Sequence, residues 1–73
     1  MSNLSKNQIR EYLISKRLDD LVQYLMADMH LSLEDAMDKV YRSQTIKRLQ
    51  DPEGELYIQS SAYIHELLLQ EVL

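Results

Sequence analysis

The sequence predicts an all-α fold, a compact bundle of four to five short helices with an extended loop between the last two. Three observations support this prediction. Apolar residues between Leu18 and Met29 follow helical spacing. Serines that suit the N-cap position of a helix recur along the chain. The one glycine and the one proline fall together in a single four-residue turn.

Length and composition indicate a single domain over residues 1–73, in which residues 1–17 form an N-terminal helix at the periphery. A chain of this size buries about 60% of the surface that its unfolded form exposes. There is no cysteine, no apolar run long enough for a membrane span and no apolar signal-peptide core after Met1. We therefore expect a cytoplasmic protein that does not contact a membrane.

The most regular apolar pattern defines the predicted central helix. Six residues occupy one stripe at i, i+3, i+4, i+7, i+8 and i+11, and they are Leu18, Leu21, Val22, Leu25, Met26 and Met29. Exposing such a stripe would forfeit roughly 1.5–3 kcal/mol for each large apolar side chain. We expect the later elements to dock on it.

The N-terminal segment leaves two alternatives. Ser5 and Gln8 form a capping box, which predicts a helix start. Either one helix runs from Ser5 to Met29, or a short helix breaks near Lys16–Asp19. The acids at 19–20 suit a first turn and the bases at 16–17 suit a last turn, so the charges favour the break.

Two further helices are predicted in the middle of the chain. Ser32 suits the N-cap of a helix that runs to about Arg42. Its predicted apolar face comprises Leu33, Ala36, Met37, Val40 and Tyr41. Ser43 suits the cap of a short third helix, whose apolar residues are Ile46 and Leu49.

The clearest turn follows, at Asp51-Pro52-Glu53-Gly54, where the residue types match a type I turn. Residues 56–58 form a β-prone run too short for a sheet. We expect an extended link whose apolar side chains are held against the core, or alternatively an edge that pairs with another chain.

Ser60 is the predicted start of the last helix. Its expected core face is Tyr63, Ile64, Leu67 and Leu68. A second apolar flank comprises Ala62, Leu69, Val72 and Leu73. This flank either lies deep in the bundle or meets another protein chain.

The sequence offers no arrangement typical of catalysis, and we predict a non-enzymatic protein without a cofactor or metal. His30 and His65 are far apart, and Gly54 alone cannot form a glycine-rich phosphate loop. None of the serines has a neighbouring histidine that could serve as its base.

Two functional hypotheses remain. The first is a protein-interaction module that acts through apolar helix faces and an acidic surface, and binds a protein partner or a second copy in a homo-oligomer. Its predicted partner-binding residues are Tyr57, Leu69 and Val72. The alternative is a helix–turn–helix DNA-binding protein over residues 33–49. Its predicted nucleic-acid contacts are Lys39, Arg42, Gln44, Lys47 and Arg48.

Residues 43–71 also carry a family resemblance. The matching positions are Ser43, Thr45, Leu49, Asp51-Pro52, Leu56-Tyr57, Ser60, Tyr63, Leu67 and Glu71. This pattern resembles a short bacterial helical domain family of unknown function, some members of which are encoded beside toxin-like genes. The resemblance implies a helical fold, no catalytic residues and an antitoxin-like or accessory role.

Overall fold

The computed structural model describes residues 5–72. These residues form four α-helices and one 3₁₀ turn, which confirms the predicted all-α bundle. The elements are α1 (Lys6–Met29), α2 (Leu33–Tyr41), α3 (Gln44–Gln50), the 3₁₀ turn (Leu56–Ile58) and α4 (Ser61–Val72). Within residues 5–72, no helix combines the length and the apolar character needed to cross a membrane.

Helix α1 is the wall on which the other elements pack, as the apolar stripe predicts. Leu21 and Leu25 are fully buried, and Val22 is nearly so. The other three stripe residues are partly buried against the same core, and they are Leu18, Met26 and Met29. The helix contacts α2, α3, the 3₁₀ turn and α4. Buried side chains from each of these elements complete the core, among them Val40, Leu49, Tyr57 and Ile64.

The favoured break near residues 16–19 is wrong, because α1 continues without interruption from Lys6 to Met29. Ile14 is buried, so the apolar stripe extends across the basic and acidic pairs. Lys16 Nζ lies 3.7 Å from Asp20 Oδ1 one turn later, a pairing that favours continued helix. Residues 6–17 are therefore the first half of α1 and do not form a separate helix.

The predicted helix starts are confirmed at serine caps. Ser5 and Gln8 form the reciprocal capping box at the start of α1. Ser32, Ser43 and Ser60 each accept a hydrogen bond from a backbone N–H in the following first turn. At its other end α1 stops at His30, which adopts the left-handed conformation with φ 53°.

The link between α3 and α4 differs from the predicted extended loop. Residues 51–54 form the expected turn, in which the Gly54 N–H donates to the Asp51 carbonyl at 3.0 Å. Residues Leu56–Ile58 then form a 3₁₀ turn. Arg17 Nε–H donates to the Tyr57 carbonyl at 3.3 Å, so a carbonyl that a strand would have paired is satisfied by α1.

Helix α4 is rotated relative to the predicted core face. Ile64 and Leu68 are fully buried as expected, but Tyr63 is 48% exposed. Ser61 and His65 are buried in its place. Both find carboxylate partners on α1, since Ser61 Oγ donates to Asp20 Oδ2 at 2.6 Å and His65 Nε2 lies 2.6 Å from Asp28 Oδ2. Polar pairs therefore fix the face of α4 that meets α1.

The dependence of the fold on α1 can be tested at Leu25. We expect Leu25→Ala to lower the free energy of unfolding by about 2–5 kcal/mol, because it leaves a cavity at a fully buried site. The exposed neighbour Gln23→Ala serves as the control and should stay within about 0.5 kcal/mol of the wild type. Urea denaturation followed by circular dichroism measures both. An equal loss of unfolding free energy in the two variants would contradict the central position of α1.

Candidate partner-binding surface

The predicted apolar face of α2 is divided between core and surface. Ala36 and Val40 are fully buried. Leu33, Met37 and Tyr41 are 54%, 39% and 53% exposed. These three residues are spaced i, i+4 and i+8, so they form a continuous strip on one side of the helix. A strip of this kind differs from apolar residues scattered singly over a surface, which are normal.

The strip borders a groove between α1 and α2. Its apolar lining adds Leu18 and Val22 of α1 to the three strip residues, and it encloses about 150 Å³. Asp19 and Gln23 of α1 supply the polar part of the lining. We call this feature the α1–α2 groove. Side chains with free apolar surface thus converge on it from both helices.

The rim of the groove carries negative charge. Asp19 is exposed on the α1 side, and Glu34 is exposed next to Leu33 at the start of α2. Asp38 lies one turn further along α2, where Arg42 Nε is 2.8 Å from its Oδ1. Asp38 is thereby offset by a neighbouring cation, whereas Asp19 and Glu34 make no ion pair within the described residues. Asp19 therefore places a negative charge, unpaired among residues 5–72, in the lining of the groove, and Glu34 adds a second one beside Leu33 in the sequence.

The partner-binding residues predicted from the sequence lie elsewhere. Tyr57 is only 8% exposed and belongs to the core. The guanidinium of Arg10 on α1 also lies 5.7 Å from the centroid of its ring. Leu69 and Val72 are partly buried against the same core. Two residues of the predicted second apolar flank of α4, Leu69 and Val72, therefore pack against the core. Leu73 of that flank lies outside the described residues.

A carboxylate clamp joins the end of α4 to the start of α3. Glu71 accepts hydrogen bonds from the backbone N–H groups of Gln44 and Thr45, each at 2.7 Å, and from the Thr45 hydroxyl. These N–H groups belong to the first turn of α3 and have no partner within their own helix. The negative charge also lies at the positive end of the helix dipole.

This environment alters the pKa of Glu71. Burial alone would raise the pKa, but the hydrogen bonds from Thr45 and Gln44 and the nearby charge of Arg48 outweigh it. The net effect holds the pKa of the Glu71 carboxyl below its ordinary value. The charged form is therefore the one that stabilises the fold.

The residues predicted to contact nucleic acid surround this clamp. Lys39 and Arg42 line a cleft of about 360 Å³ together with Asp38, Glu71 and others. Lys47 and Arg48 are exposed on α3. The first turn of a recognition helix is the part that meets base edges and phosphates. Here the backbone N–H groups of that turn, including that of Gln44, donate to a carboxylate, so DNA binding by residues 33–49 stays a prediction that this geometry disfavours.

The pairing of His65 with Asp28 was not anticipated from the sequence, which placed both residues on polar faces. His65 is 9% exposed, and its ring lies 5.0 Å from that of Tyr24. Its Nδ1 has no hydrogen-bond partner within the described residues. Helical spacing could have indicated the pair only if the docking of α4 on α1 had been known. The nearest serine on α4, Ser61, donates to Asp20, so the pair serves no hydroxyl nucleophile there.

Within residues 5–72 no three histidine or carboxylate side chains gather in a way that could hold a metal ion. Neither a protein family, nor a curated protein, nor a solved structure matches this chain. The resemblance of residues 43–71 to a bacterial helical family accordingly stays a prediction.

The clamp predicts a pH-dependent contribution to stability. Glu71→Gln should lower the free energy of unfolding by about 0.5–1 kcal/mol at neutral pH, because it removes the charge at the start of α3. Because the folded-state pKa is lowered, this contribution is complete above the ordinary glutamate pKa of the unfolded chain. It is lost as the pH falls through the lower folded-state value.

Urea denaturation of wild type and variant between neutral pH and about pH 3 measures this difference. Glu66→Gln is the matched control, since it makes the same change at an exposed position of the same helix. A difference that persists unchanged at the acidic end would show that Glu71 acts through its shape and not its charge.

Proposed function

We propose that this chain is a non-enzymatic protein-binding module that captures its partner in the α1–α2 groove. The observation that carries the proposal is the strip of Leu33, Met37 and Tyr41, which is exposed although it continues the apolar lining formed by Leu18 and Val22. Contiguous apolar patches with a polar rim are typical of protein interaction sites.

The energetics of the strip support this function. Full burial of a large apolar side chain contributes roughly 1.5–3 kcal/mol, and each strip residue still exposes about two fifths to a half of its surface. A partner that covered all three would gain roughly 1 kcal/mol from each. A gain of this size suits reversible association, because the translational and rotational freedom that the two molecules lose on binding offsets part of it.

The bundle also provides a rigid platform for the strip. Helix α2 packs on α1, and its residues Ala36 and Val40 are fully buried. The exposed side chains are therefore presented from a packed helix. A pre-organised surface loses little conformational freedom on binding. An antitoxin-like or accessory role is the narrower form of this function that the family resemblance implies.

The proposal can be tested by affinity capture with matched variants. Leu33→Ser/Tyr41→Ser removes the exposed ends of the strip, whereas Ile58→Ser removes a side chain of similar exposure, 56%, on the 3₁₀ turn. We expect wild type and Ile58→Ser to retain the same protein partner from host lysate, and the double variant to lose at least about 90% of it. That loss corresponds to a tenfold or greater fall in affinity.

Quantitative mass spectrometry of the captured proteins gives the measurement, and circular dichroism confirms that each variant is folded. Capture of the same proteins in equal amounts by all three chains would overturn the proposed groove. Loss of the partner from Ile58→Ser alone would place the interface at the 3₁₀ turn.

A further inference from the structure

We infer that the occupant of the α1–α2 groove is a basic amphipathic helix of another protein, an inference that rests on the proposed function and specifies its partner. The groove runs between two packed helices, and its apolar side chains recur once per turn along α2. From Leu33 to Tyr41 the strip is about 12 Å long at the helical rise. A partner helix presents apolar side chains at the same repeat and can interleave with them.

The other common ways of recognising a peptide do not fit this site. Strand addition needs an unpaired sheet edge, and residues 5–72 contain no strand. Proline-rich segments dock on grooves built from several aromatic rings, but Tyr41 is the one aromatic residue in this lining. Phosphorylated motifs need clustered arginines, whereas the rim carries carboxylates. Among the common modes of peptide recognition, packing of a helix into the groove is the one that fits this site.

The rim determines the charge of that helix. Asp19 lines the groove on α1. Glu34 is exposed and directly follows Leu33, the first strip residue of α2. Lysines or arginines that flank the apolar face of a partner helix would meet these carboxylates, which improves both encounter rate and specificity. Acidic flanks would place like charges together, which is unfavourable.

The same charges disfavour a second copy of this chain as the occupant. A two-fold symmetric dimer brings the same patch from each copy together. In such a dimer the carboxylates of Asp19 and Glu34 would be duplicated around one groove. The chain also carries a net charge of −4, so long-range repulsion adds to this local effect.

The test uses two designed peptides of about 18 residues, each with leucines on one helical face. The basic peptide has lysines beside the leucines, and the acidic peptide has glutamates at the same positions. Fluorescence anisotropy at low salt measures the affinity of each peptide for the full chain. We expect the basic peptide to bind at least about tenfold more tightly than the acidic one, and to weaken as salt is added.

Two pairs of variants locate the contact. Leu33→Ser/Met37→Ser should weaken the basic peptide at least about tenfold, because it removes apolar surface from the groove. Asp19→Asn/Glu34→Gln should weaken it about three- to tenfold at low salt and have little effect at high salt. The matched control Glu53→Gln/Glu55→Gln removes the same charge from the remote exposed turn and should leave the affinity unchanged.

The possible failures are distinguishable. Equal, groove-dependent binding of both peptides would overturn the basic character of the partner while leaving the proposed function in place. Failure of the basic peptide to bind wild type would overturn the inference, and the capture experiment would still decide the proposed function. A wild-type dimer that light scattering shows to dissociate in Leu33→Ser/Met37→Ser would assign the groove to a second copy. Circular dichroism of each variant separates loss of binding from loss of folding.

Discussion

Burial of the apolar stripe of α1 is the interaction on which the rest of the structure depends. Leu21 and Leu25 are fully buried, and the helix that carries them contacts every later element of the fold. A domain of this size removes only about 60% of its unfolded surface from water, so it has few buried residues in reserve. The continuity of α1 is part of this constraint, because a break near residue 18 would divide the stripe into two short helices that are marginal alone.

Polar contacts give the apolar packing its register. The hydrophobic effect is non-directional, so it does not by itself specify which face of α4 meets α1. Asp20 with Ser61, and Asp28 with His65, define that face at two points separated by about two turns of α1 and about one turn of α4. Glu71 then ties the end of α4 to the start of α3. A shift of α4 would leave the buried side chains of Ser61 and His65 without these partners. An unpaired buried polar group carries a free-energy cost.

Local patterns in the sequence predicted the parts of the fold that depend on neighbouring residues. Helical spacing located the stripe of α1, and the serines at 5, 32, 43 and 60 marked the helix starts. Spacing also grouped the apolar residues of α2 on one face, but it could not show that only Ala36 and Val40 of that face are buried. The pairing of His65 with Asp28 spans 37 residues and depends on tertiary docking, which single-sequence patterns do not contain.

The exposed strip on α2 and the acidic rim beside it have a common physical explanation. An apolar strip on a small protein promotes association with itself and with unrelated chains. Carboxylates at Asp19 and Glu34 oppose such association between copies of an acidic chain, because they bring like charges together. The same carboxylates leave the groove open to a partner of opposite charge. Under the proposed function, opposition to self-association and recognition of a basic partner helix would both depend on Asp19 and Glu34. Removing these two charges should then strengthen self-association and weaken binding of the basic helix.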